Sequence, residues 1–196
     1  MPRTLLLFSF SLMLVSSCSK SSNPPTMTTS VDSTAFPNHL FFEKDGNPSL
    51  HGWTFHPAIP GDTANFEMDT PPTGGTWSLK LHKADTPHGT NNVTMSFTNL
   101  TSGIYELSSW MKIKYLLPAG TSPEGSISIV KERAGVRYPK TTTSGDSIQW
   151  HLVNLIDTLS LLSTDSVTIM LAAGASDTAA HGNPMWFDDV TFKKLK

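Results

Sequence analysis

One strand-like stretch carries the side chains best suited to gripping a ligand. From Ile104 to Lys114 the residues alternate, with Tyr105, Leu107, Met111 and Ile113 on one face and Glu106, Ser108, Trp110, Lys112 and Lys114 on the other. The first set reads as core. In the second, Trp110 is a large aromatic among polar residues, which calls for a reason. One reason is a saccharide: the indole stacks on the apolar face of a pyranose while Glu106 and Lys112 bond its hydroxyls. The other is a covering loop, residues 115–125, that makes Trp110 a minor second core. Trp53, Trp77, Trp150 and Trp186 read as packing residues.

Residues for catalysis are harder to find. The 7 histidines include His51 and His56 across a turn, and His82 and His88 flanking a loop. None forms a His-x-His pair or a His-Glu-x-x-His motif, so they read as surface or turn residues. There is no Gly-x-Ser-x-Gly elbow and no phosphate loop. Glu124, Glu132, Asp157 and Asp165 lie in or beside apparent turns, and nothing orients two of them as a glycosidase pair. The chain therefore reads as non-enzymatic, with a hydrolase or lyase the remote alternative.

The elements that position these residues are strands. Trp77, Leu79 and Leu81 alternate with Ser78, Lys80 and His82; Val93, Met95 and Phe97 with Thr94 and Ser96; Val167, Ile169 and Leu171 with Thr168 and Met170; Val190 and Phe192 with Thr191. This period of two marks strands with one buried face. Turn signals separate them, among them Asp45-Gly46-Asn47-Pro48, Pro71 to Gly75, Thr101-Ser102-Gly103, Pro118 to Gly120 and Ser144 to Asp146. Trp150 to Leu162 also fits helical spacing through Leu152, Leu155, Ile156 and Leu159. Its β-branched residues and flanking strands favour a strand followed by a turn. The expected fold is an all-β antiparallel sandwich.

The N-terminus has the physical parts of an export signal. Arg3 supplies the positive charge, Leu5 to Val15 an apolar run of 11 residues, and Ser16 and Ser17 the small residues before a cut. The run is shorter than the roughly 20 residues a membrane-spanning helix needs. The stretch Leu14-Val15-Ser16-Ser17-Cys18 resembles the lipobox of bacterial lipoproteins, although Val15 stands where most carry Leu. The resemblance implies cleavage after residue 17, acylation of Cys18, and attachment to the cell envelope at the outer membrane. An ordinary secretory signal ending near a cysteine is the alternative. Cys18 is the only cysteine, so no intramolecular disulfide can form. Residues 18–35, rich in Ser, Thr, Pro and Asn, read as the lipidated residue and a flexible tether, and residues 36–196 as the domain. The formal charge of −2 becomes −3 once Arg3 is removed, which offers no footprint for nucleic acid.

Four stretches in order resemble the carbohydrate-binding-module and galactose-binding-like jelly-roll domains. They are Asn38 to Glu43 with Trp53 downstream, Gly74 to Leu81, Ile104 to Lys112, and Trp186 to Phe192 with its Asp188-Asp189-Val190 ending. The resemblance implies a jelly roll and a structural calcium held by Glu43 with Asp188 or Asp189. By strand parity Asp188 shares a face with Val190 and Phe192 and is expected to point inward. The function implied is a membrane-tethered module that binds a saccharide. The alternative is a non-catalytic structural or protein-interaction component of an envelope assembly.

Overall fold

The computed structural model describes residues 42–82, 84, 90–114, 125–143, 147–174 and 184–196. Cys18, the tether, most of the opening motif, and the 115–124 part of the loop expected over Trp110 lie outside them. Within them the chain forms β1 (Glu43–Lys44), β2 (Asn47–Pro48), β3 (Thr54–His56), β4 (Thr63–Glu67), β5 (Ser78–His82), β6 (Thr90–Thr98), β7 (Gly103–Ile113), β8 (Gly125–Arg133), β9 (Val136–Thr143), β10 (His151–Leu159), β11 (Ser166–Gly174) and β12 (Met185–Lys194).

Two five-stranded sheets face each other, one ordered β10-β7-β12-β5-β4 and the other β3-β6-β11-β8-β9; β1 and β2 form a separate hairpin. All the pairings are antiparallel. The inner faces carry the alternating residues expected from sequence. Leu79, Leu81, Leu107, Met111 and Phe187 from one sheet meet Val93, Phe97, Ile127, Ile129, Ile169 and Leu171 from the other, all essentially inaccessible. Phe192 stacks between Phe97 and Tyr105, with ring centroids 5.3 Å from each. Each such side chain contributes roughly 1.5–3 kcal/mol on burial, and this core holds the sandwich without a disulfide.

β10 is a strand, as its β-branched residues indicate. Val153, Leu155 and Leu159 face the core, whereas Leu152 and Ile156 point outward and stay about half exposed. Beyond its end, Asp165 is buried and takes a two-pronged bond from Arg133, Nε at 2.9 Å and Nη2 at 2.7 Å, with the Leu162 N–H at 2.9 Å. This carboxylate is a structural anchor between β8 and the turn before β11.

One expectation fails in β12. The pairing shifts register between Asp188, opposite Trp110, and Thr191, opposite Ser108, so three residues advance against two. Asp189 takes φ 45° in this β-bulge. The bulge flips parity: Asp188 lies on the outer face with Trp186 and Thr191, not with Val190 and Phe192. Trp186 is buried, as a packing residue should be, but it packs on the outer face and not between the sheets, and Trp150 is only half-buried. Trp186 lies opposite Lys112 and Lys80 on the outer face, and the half-buried Trp150 stands in the same row. Trp77 is half-buried just before β5, and only Trp53 packs into the interior, 5.6 Å from Phe42.

Candidate functional site

The outer face of the β10-β7-β12-β5-β4 sheet carries the candidate sugar-binding groups, and Glu43 of the separate β1-β2 hairpin stands beside its acidic end. Strand parity places Glu106, Ser108, Trp110 and Lys112 on it, as the sequence pattern requires. Trp110 is half-buried and sits between Leu152 of β10 and Asp188 of β12. Glu106 is four residues away along an extended strand, about 13 Å at 3.3 Å per residue, so one sugar ring cannot touch both. Both charged neighbours already have partners. Glu106 pairs with Lys193 Nζ at 2.7 Å, and Lys112 pairs with Asp69. The exposed Asn154 amide lies across from Ser108, whose hydroxyl is 2.6 Å from that of Thr191. Asn154 was not singled out by sequence, because its polar type is unremarkable on an exposed strand face.

Next to Trp110 runs a row that sequence reasoning did not anticipate. Lys112 Nζ lies 5.1 Å from the Trp150 ring centre and 4.9 Å from that of Trp186, and Lys80 Nζ lies 5.1 Å from Trp186 on its other side. The order across the sheet is Trp150, Lys112, Trp186, Lys80, an alternation of rings and cations within cation–π range. Two carboxylates complete it. Asp69 accepts from Lys112 and from Trp150 Nε1 (3.1 Å); Glu67 accepts from Lys80 (2.6 Å) and from Trp186 Nε1 (2.9 Å). These bonds hold both carboxyl groups below their ordinary range, against the opposing effect of partial burial.

Glu67 and Asp69 stand at the root of the connection between β4 and β5, residues 68–77, which folds over the acidic end of the face. Ser78 Oγ ties the root together by donating to the carbonyls of Asp69 (2.7 Å) and Glu67 (3.3 Å). Further along, Thr73 Oγ1 donates to Asp189 at 2.7 Å, and Thr76 N–H to Glu43 at 2.9 Å. A Cβ on Gly74 would run into the buried Asp188 Oδ2 and the Pro71 ring, so glycine is required there by close approach, and one on Gly75 would displace the Glu43 carboxylate. The loop thus brings Glu43, Asp188 and Asp189 under one cover, joining the three acids the family resemblance named.

Asp188 is the exceptional member. It is fully inaccessible; Oδ1 accepts the Asp189 N–H at 2.7 Å, while Oδ2 has no hydrogen-bond partner. Burial pushes its carboxyl up to about 7, the negative charges of Asp189 and Glu43 add to the rise, and the Asp189 N–H opposes it. An anion in that position requires a proton or a cation. Among the described residues no three His, Cys, Asp or Glu side chains are clustered tightly enough to hold a metal ion by themselves, so carbonyl oxygens would have to contribute.

The opposite sheet presents a different outer face. There His56 Nε2 meets Thr94 (2.9 Å), Ser96 meets Thr168 (2.8 Å) and Ser128 meets Thr141 (2.8 Å). Strand parity places no Phe, Tyr or Trp on that face among the described residues.

No family model matches the sequence, and no curated protein matches it. Solved structures do. The CBM22-1 xylan-binding domain from Paenibacillus barcinonensis Xyn10C aligns at TM-score 0.54 and 17% identity, covering 81% of this chain and 93% of that one. A family 16 carbohydrate-binding module aligns at 0.54 and 13%, covering 74% and 92%. The chain has the fold of a carbohydrate-binding module. The enzymatically active domain of bacteriophage CBA120 tailspike protein 4 matches at 0.53 and 12% over 75% of this chain, which spans only 20% of that one.

Proposed function

We propose that this protein is a non-catalytic saccharide-binding module, tethered to the bacterial cell envelope through acylated Cys18. The observation that carries the sugar reading is Trp110. It is the indole of the outer sheet face left outside the ring-and-lysine row, half-buried and flanked by the exposed Leu152 and Asn154. A ring so placed can stack on a pyranose, with a hydroxyl contact supplied by the exposed Asn154 amide. Glu106 serves only a ligand long enough to run along β7, an oligosaccharide rather than a single sugar. Among the described residues, strand parity gives the hydroxyl-rich opposite face no stacking ring. Support from the fold is that the neighbours covered almost end to end are a xylan-binding domain and a carbohydrate-binding module.

A binding assay of the full chain on a glycan array, repeated with Trp110→Ala, tests the site. The expected affinity is on the order of micromolar to millimolar, because a small ligand buries little surface. Trp110→Ala should abolish it at a stability cost of about 2 kcal/mol, below the roughly 3–5 kcal/mol of a fully buried aromatic. Undiminished binding by Trp110→Ala would move the sugar to the other face.

A second reading has its own observation. Leu152 and Ile156 are 48% and 54% exposed on the edge strand next to Trp110, an apolar strip suited to a protein partner of an envelope assembly. Absence of glycan binding together with capture of an envelope protein that depends on Leu152 and Ile156 would favour it.

The acidic end of the same face supports a structural calcium ion held by Glu43, Asp188 and Asp189. The orphaned Oδ2 of Asp188 and the glycine cradle over it fit such a group, whose two positive charges would offset most of the charge of the three carboxylates and fix the loop above them.

A further inference from the structure

The ring-and-lysine row crosses three strands and the residue before β10, and its cations and indoles bond two carboxylates at the start of one loop: Glu67, the last residue of β4, and Asp69, two residues on. We infer that Lys112 and Lys80, acting through Asp69 and Glu67, are positioning residues that hold the 68–77 loop over Glu43, Asp188 and Asp189 and so set the affinity of that site for a divalent cation. This rests on the calcium reading of the three carboxylates.

The arrangement is a brace with two equivalent halves. In each, one carboxylate of the loop root receives a lysine ammonium and an indole N–H: Asp69 from Lys112 and Trp150, Glu67 from Lys80 and Trp186. The halves share the Trp186 ring, which lies between the two ammonium groups. Trp186 is almost inaccessible, and the Lys112 side chain is only 12% exposed, so the row is a packed layer rather than loose surface pairing. Its anchors come from β5, β7, β12 and the segment before β10; its load is Asp69 within the loop and Glu67, the last residue of β4, from which the loop leaves.

The loop in turn supplies contacts that the carboxylates lack on their own. Thr73 orients Asp189, the Thr76 N–H orients Glu43, and Gly74 closes over Asp188 Oδ2. With its root released, the loop must be ordered anew each time the site is filled, and binding weakens by that ordering cost. Partners that orient ligating carboxylates typically change metal affinity by about 10–100-fold.

Calcium titrations of the full chain, by calorimetry and by melting temperature, test the brace in Lys112→Met, Asp69→Asn and Lys112→Arg. Lys112→Met and Asp69→Asn should raise the calcium Kd by about tenfold or more. Lys112→Arg, which keeps a cation between the rings and on Asp69, should stay near wild type. The metal-free melting temperature of Asp69→Asn should change little, since Asp69 is half exposed, and this variant keeps the test alive if Lys112→Met does not fold. A wild-type Kd in both Lys112→Met and Asp69→Asn overturns the brace while leaving calcium intact. A wild-type chain that gives neither heat nor a melting shift overturns the calcium reading, and the brace with it.

Discussion

Two buried aspartates of this protein titrate on opposite sides of the usual carboxylate range. Asp165 is held down to about 2, chiefly by its bonds from Arg133, with the Leu162 N–H and the Arg133 and Lys131 charges adding to them against burial. Asp188 is held up at about 7 by burial, with Asp189 and Glu43 adding to it. The difference, among the described residues, is the company each keeps: Asp165 has a guanidinium, whereas the charges acting on Asp188 are those of Asp189 and Glu43. If calcium supplies the missing charge, and binds only the folded state, excess ion must raise the melting temperature by mass action, about 2.7 kcal/mol at a hundred times Kd. Asp188→Asn should lose that response. Its Oδ1 still accepts the Asp189 N–H, and with no charge to desolvate the variant should melt, metal-free, no lower than metal-free wild type. A melting temperature indifferent to both chelator and millimolar calcium sinks the ion.

At the scale of elements, what was legible depended on whether a strand buries one face without interruption. β5, β6, β7, β11 and the end of β12 do, and their alternation in sequence was enough. β9 is exposed along nearly its whole length and carries Pro139, which an edge strand tolerates, so it had no period to read. The helical spacing of Leu152 and Ile156 came from the outward residues of an edge strand. Asp188 was given the wrong face because a bulge adds one residue without leaving a mark in the pattern. The roles of Glu67 and Asp69 were invisible for another reason: their lysine and tryptophan partners lie up to 119 residues away. Turn chemistry was legible where the residues match the geometry. Asp45-Gly46 joins β1 to β2 with φ 54° and 76°, as two-residue hairpins prefer. Ala134-Gly135 makes the same turn between β8 and β9 with φ 50° and 78°, and alanine is poorly suited to the first position. Ala134→Asn should therefore stabilise the protein by about 1 kcal/mol. A melting temperature unchanged or lowered in that variant would show that the hairpin relaxes the strain elsewhere.

At the scale of the whole molecule, both outer faces of the sandwich stay available only if the chain is held by one end. Of the two faces, one carries the indoles and the other the hydroxyls. The proposed attachment through Cys18 would meet that requirement, because Cys18 precedes the first described strand and is the only cysteine in the sequence. Anchoring strength follows from acylation. Each buried methylene contributes about 0.8 kcal/mol, one chain holds marginally, and two or more hold stably. Replacing Cys18 removes every chain at once, and a net charge of −2 offers no polybasic patch to compensate. Cys18→Ala should therefore leave the protein exported but free of the membrane fraction, with the melting behaviour of the domain unchanged. Fractionation with metabolic fatty-acid labelling measures this. Wild-type protein recovered soluble with an unmodified Cys18 would remove the anchor, and the envelope tether with it.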